Sequence, residues 1–267
     1  MFKYTIYCLL AWNIVLWFQE DLAASAETFG DTITWRNVVE AYSATIDTAA
    51  WVVLLLLFEL ETAVIDDEKL KGGLKWLLMG IRFICYFFIV YAFWGYIVKY
   101  GVVSSTMPLA IQDVCSLIGT DYTWVATLDE YLPIDTANCA AMQGQNLLQI
   151  AGTQIIGTGQ DLGAAIKLAI TDIVNAGDWL IIVVLLEVEV FLQLKGLLTD
   201  RMLKVGKYVK GFFYAILFGA AAYWGMEGDF LDFWDAFLWL VAFIFIELNI
   251  FQWHEEVEEQ QGQPAAV

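Results

Sequence analysis

Residues 51–61 read WVVLLLLFELE, and a run of the same design recurs twice further along the chain. Residues 179–189 read WLIIVVLLEVE, and residues 239–249 read WLVAFIFIELN. Each run opens on a tryptophan and reaches a glutamate eight residues later, with a second glutamate or an asparagine two residues beyond. Apolar runs of this kind predict membrane helices that hold ionisable side chains inside the bilayer.

Six apolar stretches are long enough to cross about 30 Å of hydrocarbon as helices. Hydrophobic residues make up 60% of the 267 residues and charged residues 16%, whereas soluble proteins are about half apolar and about a quarter charged. The predicted spans are 4–22, 48–65, 73–98, 178–194, 207–225 and 230–252. We therefore expect an all-α integral membrane protein with six transmembrane helices.

The spans also suggest an internally repeated helical hairpin. The third span ends in FWGY at residues 93–96, and the fifth ends in YWGM at residues 223–226. Residues 48–98 and 176–226 therefore look like two copies of one hairpin, and the sixth span looks like half of a third copy. If the first span completes that third copy, the three hairpins form a pseudo-threefold bundle closed by the first and last spans.

Basic residues are concentrated on one side of these spans, which predicts the orientation. The nine on the richer side are Lys3, Lys69, Lys71, Lys75, Lys195, Arg201, Lys204, Lys207 and Lys210, against Arg36, Lys99 and Lys167 on the other. Both termini are therefore predicted to be cytoplasmic, and we expect the membrane to be a bacterial inner (plasma) membrane.

This topology divides the chain into four parts. Residues 1–98 hold the first three spans, 99–177 an extracytoplasmic insert, 178–252 the last three spans with the second hairpin at 178–226, and 253–267 an acidic tail. Apolar residues at helical spacing predict a helix over 146–174, lying at the interface or running into the fourth span. Cys115 and Cys139 share the exported insert and are predicted to form a disulfide bond.

The repeated glutamates are the candidate functional residues. Eight residues of helix cover about 12 Å, so these carboxylates lie within the membrane, where a charge costs at least ~2.5–3.5 kcal/mol. The predicted ion or proton pathway comprises Glu59, Glu61, Glu187, Glu189, Glu247 and Asn249, with Arg82 as charge partner. The alternative is that Arg82 and nearby lysines pair with these carboxylates only to hold the helices together. The three tryptophans are expected at the outer membrane interface.

The net charge of the chain and the absence of catalytic motifs reduce the number of possible functions. A net charge of −18 argues against a nucleic-acid partner, and the sequence predicts no catalytic motif and no cofactor. No zinc or iron–sulfur pattern occurs, and carboxylate ligands alone would suit protons or hard cations such as Na⁺, Ca²⁺ or Mg²⁺. We expect a protein that handles protons or small cations as a channel, transporter or ion-conducting subunit. Membrane lipid and a homo-oligomer or larger complex are its expected partners. The second hypothesis is a non-transporting scaffold subunit of a larger membrane complex, and a membrane enzyme is a distant third.

Overall fold

The computed structural model describes residues 2–29, 34, 37–61 and 72–262, with side chains except those of residues 29, 40, 190, 193, 194, 200 and 247–262. The helices are α1 (Phe2–Phe29), α2 (Val38–Ala41), α3 (Ser43–Glu59), α4 (Gly73–Ser104), α5 (Thr136–Met142), α6 (Gly159–Leu194), α7 (Asp200–Glu227) and α8 (Phe230–Gly262). The strands are β1 (Thr106–Leu109), β2 (Thr123–Val125), β3 (Tyr131–Pro133), β4 (Leu147–Ile150) and β5 (Ile155–Thr158).

Six long helices pack side by side in a closed ring. Helix α1 contacts α3, α3 contacts α4, α4 contacts α6, α6 contacts α7, α7 contacts α8, and α8 returns to α1. Each of the six predicted apolar stretches overlaps one of these helices, and most of the helices extend further than predicted. The predicted second span runs on to residue 65, and its end lies outside the described residues.

Two glycines at corresponding places in the repeat let neighbouring helices approach closely. A Cβ added at Gly95 would lie 3.0 Å from Ser43 Cβ and 3.1 Å from the Val39 carbonyl oxygen. A Cβ added at Gly225 would lie 3.2 Å from the Phe233 ring. The tryptophan-glycine pairs noticed in the sequence therefore mark places where α4 and α7 pack tightly against an adjacent element.

Among the described residues, two helices are long and apolar enough to cross a membrane. They are Gly73–Ser104 and Gly159–Glu189, with mean hydropathies of 1.9 and 1.8 in their most apolar stretches. Helix α3 has only 17 residues in its described length. The protein is thus mostly helical, with two helices capable of spanning a bilayer.

The insert is not purely helical, which corrects the expected all-α class. Its strands form a five-stranded sheet in the order β1-β4-β5-β2-β3, in which only the β2–β5 pair is parallel. The helix predicted over 146–174 is also wrong in its first half, because residues 147–150 and 155–158 pair as antiparallel strands around a turn at Gly152. Its second half is helical and belongs to α6, which runs unbroken into the predicted fourth span.

The sheet covers one end of the helix ring, which we call the insert end. Val125, Leu128, Ile150 and Ile155 from the insert share a core with residues of α6, α7 and α8. Asp161 in the first turn of α6 fastens the sheet to this helix. Its carboxylate accepts hydrogen bonds from Thr158 N at 2.9 Å, Thr158 Oγ1 at 2.8 Å and Trp124 Nε1 at 3.2 Å.

The predicted disulfide bond between Cys115 and Cys139 is confirmed. It joins a 3-10 turn over Val114–Leu117 to α5, whose first turn is capped by the Asp135 side chain. Cys139 is buried with Val114, Ile134, Met142, Leu147 and Ile156 in a small core of the insert. The bond therefore closes the loop that carries β2 and β3.

We expect the paired change Cys115→Ser and Cys139→Ser to lower the free energy of unfolding by about 3 kcal/mol, because the unfolded chain regains the entropy of an open loop. Tryptophan fluorescence during denaturant unfolding of the detergent-solubilised protein measures this change. Cys8→Ser, at an exposed unpaired cysteine, is the matched control. Finding both thiols free by non-reducing peptide mass spectrometry would contradict the assignment.

Candidate functional site: a buried aspartate cavity

A cavity of about 50 Å³ lies between the helices at the insert end. We call it the aspartate cavity. Its polar lining consists of Asp47, Thr48, Tyr96, Lys99, Asp129, Asp172, Asn175, Asp232 and Asp235, and its aromatic lining includes Trp17, Trp179, Trp224 and Trp239. The cavity therefore brings five carboxylates and one ammonium group together inside the bundle.

The carboxylates reach the cavity from several elements. Asp47 lies on α3, Asp172 on α6, and Asp232 and Asp235 on one face of α8 at a spacing of three residues. Asp129 comes from the turn between β2 and β3, which is closed by a hydrogen bond of 2.9 Å from Ala126 N to the Glu130 carbonyl. Burial of the neighbouring Leu128 in the shared core holds this turn against the bundle.

Some of these groups have clear partners. Asn13 Nδ2 on α1 donates a hydrogen bond of 2.7 Å to Asp235 Oδ1, and Tyr96 OH donates one of 3.4 Å to Asp47 Oδ2. Lys99 Nζ forms an ion pair with Asp129 Oδ1. The first and last long helices are thus tied together by a hydrogen bond to a cavity carboxylate.

Other polar atoms that line the cavity have no partner. Asp172 is only 8% exposed, and its Oδ1 has no hydrogen-bond partner within the described part of the chain. Asn175 Oδ1, one helical turn further along α6, is also buried without a hydrogen-bond partner among the described residues. Buried polar groups of this kind are normally satisfied, and a cavity of about 50 Å³ has room for ordered water. The aspartate cavity is therefore a chamber suited to water.

The charge balance inside this chamber is uneven. Five carboxylates face a single ammonium group, and carboxylates that share an enclosed, poorly solvated space cannot all be ionised. Across the described ranges, no three His, Cys, Asp or Glu side chains lie close enough together to hold a metal ion.

A larger depression lies beside the cavity, and we call it the vestibule. Its volume is about 660 Å³, and its acidic lining is Glu20, Glu27, Asp129, Glu130 and Asp229. Burial raises the pKa of the Asp229 carboxyl, which lies in the turn between α7 and α8. Burial, reinforced by the charge of Asp129, also raises the pKa of the Tyr131 hydroxyl. Both groups therefore retain their protons to higher pH than they would in water.

Three tryptophans pack together on one side of the aspartate cavity, and we call this group the floor. Trp179 and Trp239 line the cavity, and Trp51 packs against both of them. The ring centroids of Trp51 and Trp179 are 6.3 Å apart, and those of Trp51 and Trp239 are also 6.3 Å apart. Phe243 packs against Trp179 at 4.4 Å and adds to the floor. All three tryptophan side chains are buried against other helices and do not face outwards, and their expected level at the membrane interface stays a prediction. Their rings point into the ring of helices because α3, α6 and α8 each turn that face to the centre.

The predicted pathway glutamates lie beyond this floor, each beside a partner on an adjacent helix. Glu59 is buried and forms an ion pair of 2.6 Å with Lys3 Nζ on α1, and Tyr4 OH and Tyr7 OH donate to the same carboxylate. Glu61 forms an ion pair with Arg82 on α4. These contacts connect α1 to α3 and α3 to α4.

The glutamates of the second run make similar contacts. Glu187 Oε1 accepts a hydrogen bond of 2.6 Å from Tyr86 OH on α4, at an exposed position. Glu189 forms an ion pair of 3.0 Å with Lys210 on α7. The side chains of Glu247 and Asn249 lie outside the described residues, although their backbone belongs to α8. Every described glutamate of the predicted pathway therefore joins neighbouring helices, and its role in a pathway stays a prediction.

The aspartate cavity was missed from the sequence, although the repeat contains a signal for it. A polar residue precedes the tryptophan of each run by four positions, which is one helical turn. These residues are Asp47 before Trp51, Asn175 before Trp179 and Asp235 before Trp239, and all three line the cavity. Extending the comparison of the runs backwards by one turn would have found them.

Comparison with protein-family models, with curated proteins and with solved structures found no match to this chain. The site must therefore be interpreted from its own geometry.

We expect Asp172→Asn to leave stability unchanged or raise it by about 1 kcal/mol, because it removes a buried carboxylate oxygen that lacks a partner. Asp21→Asn is the contrasting variant. Asp21 is also buried, but it accepts hydrogen bonds from Thr45 N at 2.9 Å and Thr45 Oγ1 at 2.6 Å. Its neutral amide should therefore lower the free energy of unfolding by about 1–2 kcal/mol. Thermal unfolding in detergent compares the two, and equal destabilisation would contradict this interpretation of the cavity.

Proposed function

We propose that this chain is an integral membrane protein with six spanning helices that handles protons through the aspartate cavity. The observation that carries the proposal is that five carboxylates and one ammonium group line a single cavity between the helices that has room for water. A bundle gains no stability from burying unneutralised carboxylates, because an incompletely paired buried charge is costly. Ionisable groups retained in such a place are a recurrent feature of proton-handling membrane proteins.

The outer surface of the bundle supports the membrane location. Only 22% of the most apolar stretch of α4 is buried, so this helix is not a core helix of a soluble protein. Its exposed side chains include Trp76, Phe83, Phe87 and Trp94. Large apolar side chains are also exposed on α1, α6, α7 and α8, and continuous apolar surface of this kind is the surface that lipid covers.

The pseudo-threefold arrangement is the second element of the proposal. Alternate members of the helix ring, α3, α6 and α8, contribute the three tryptophans that meet at the centre. Each of these helices also supplies the cavity with the polar residue one turn before its tryptophan. In the proposed bundle, α3 pairs with α4, α6 with α7 and α8 with α1, so that each hairpin contributes one third of the site.

We assign different roles to the glutamates beyond the tryptophan floor and to the aspartates of the cavity. The glutamates Glu59, Glu61 and Glu189 are paired with cations, and Glu187 with a tyrosine, which suits groups that fix helix positions. The aspartates have too few partners to be neutralised in this way. The packed tryptophan rings lie between the aspartates and the glutamates, so in this proposal the passage of protons to the glutamates requires Trp51, Trp179 and Trp239 to move apart.

Proton flux into liposomes that enclose a pH dye tests this proposal directly. We expect the wild-type protein to acidify the lumen under an imposed potential and Asp172→Asn to reduce the rate at least tenfold, because one titratable group of the chamber is lost. Asp121→Asn, at an exposed aspartate of the insert, is the matched control and should keep the wild-type rate. An unchanged flux rate in Asp172→Asn would show that protons do not pass through the aspartate cavity.

A second candidate function is a scaffold subunit of a larger membrane complex, and the helix-to-helix glutamate contacts favour it. Glu187→Gln tests the glutamates separately from the cavity. If the glutamates also relay protons, the variant stops flux in a folded protein, whereas if they only fix helix positions it keeps the wild-type rate. Wild-type protein that moves no proton, and shows no change of its carboxyl bands in infrared spectra between acid and neutral pH, would establish the scaffold.

The predicted orientation of the chain in the membrane can be tested by labelling cysteines on each side. In a Cys8→Ser background, Asp121→Cys should react with a membrane-impermeant maleimide applied to intact cells, and Leu197→Cys should react only after the membrane is opened. The first position lies in the insert and the second in the turn between α6 and α7, and both side chains are exposed. The distribution of basic residues requires this result. The reverse labelling would invert the topology.

A further inference from the structure

Lys99 is the one basic side chain that lines the aspartate cavity within the described residues. It lies near the end of α4, and its ammonium pairs with Asp129 from the β2–β3 turn. Both side chains are largely buried, at 19% and 9% exposure. Lys99 is therefore a cation that the chain itself places among the carboxylates.

The Lys99–Asp129 pair stands where three cavities meet. Both residues line the aspartate cavity, and both also line a second cavity of about 40 Å³ between α1, α4 and the sheet. Asp129 is in addition part of the wall of the vestibule. The pair therefore lies between the aspartate cavity and the vestibule.

The ammonium group of Lys99 competes with any mobile cation for this position. An inorganic cation would be attracted to the chamber by the same carboxylates, since opposite charges in a poorly solvated space interact strongly. The tethered ammonium already neutralises part of that charge and fills the space beside Asp129. Protons need no such space, because they move along water and hydrogen-bonded groups.

We propose that Lys99 determines the specificity of the aspartate cavity, keeping it for protons and excluding monovalent metal cations such as Na⁺ and K⁺. This inference rests on the proposed function of the cavity. Without the ammonium, five carboxylates surround a chamber with room for an ion, and the unpartnered Asp172 Oδ1 is an oxygen ligand for a hard cation. The predicted effect of removing Lys99 is therefore a gain of Na⁺ binding.

The experiment measures thermal unfolding of the purified protein in NaCl, in KCl and in choline chloride at equal ionic strength. The wild-type midpoint should be the same in all three salts. The Lys99→Gln midpoint should rise by about 3–6 °C in saturating Na⁺ or K⁺ relative to choline, because a ligand that binds only the folded state stabilises it. A Lys99→Gln midpoint that does not distinguish the salts would overturn the proposal.

Three further variants control for charge and folding. Lys167→Gln removes an exposed lysine from α6, and Asp129→Asn removes the ion pair while keeping the ammonium, so neither should gain a Na⁺ response. The double variant Lys99→Gln with Asp129→Asn leaves neither partner as an orphaned charge and keeps the formal charge of the wild-type cavity. It should show a weaker Na⁺ response than Lys99→Gln alone, and it replaces that variant if the single change prevents folding. A Na⁺ response in Asp129→Asn equal to that of Lys99→Gln would also contradict the assignment.

This result is separable from the proton assay. Na⁺ binding gained by Lys99→Gln in a protein that carries no protons would retain the selectivity role and remove proton handling. Proton flux in the wild type without any Na⁺ response in either Lys99 variant would retain proton handling and contradict the selectivity role of Lys99.

Discussion

The contact among Trp51, Trp179 and Trp239 at the centre of the helix ring is the interaction on which the remaining features depend. Three large rings that meet at centroid distances near 6.3 Å set how far apart α3, α6 and α8 can lie. The outer helices α1, α4 and α7 then fill the spaces between them. Because the rings close the centre, the space above them at the insert end is separated from the glutamates below.

This separation explains why the two sets of carboxylates differ in their surroundings. The glutamates lie where α1, α4 and α7 can offer lysine, arginine and tyrosine side chains from adjacent helices, and they are paired there. The aspartates lie above the floor, where the sheet closes the bundle and supplies another carboxylate, Asp129, with a single lysine opposite. The same bundle thus holds carboxylates that are paired between neighbouring helices and a group of five carboxylates that shares one lysine.

The helices and the repeated glutamates could be predicted from the long apolar runs of the sequence. The disulfide bond could be predicted because two cysteines lie in one insert that was expected to be exported. The strands were not readable, because Leu147, Ile150 and Ile155 are spaced as they would be on a helix and each strand has only three or four residues. The aspartate cavity was missed for a different reason. Asp47, Asp172, Asp232 and Asp235 lie near the ends of apolar runs, where charged residues are normally solvated. They come together because several helices and the β2–β3 turn converge at this cavity, which is a tertiary effect.

Helix α6 runs without interruption from Gly159, at the sheet, to Leu194 at the opposite end of the bundle. It is about 54 Å long at 1.5 Å per residue, which exceeds the hydrocarbon thickness of a bilayer. Asp161 fastens the sheet to its first turn, and Asp172, Asn175 and Trp179 follow on the same rigid rod. The sheet, the cavity carboxylates and the tryptophans of the floor are therefore connected by one continuous helix, so that a displacement of the sheet along this helix would also displace Asp172 and Trp179.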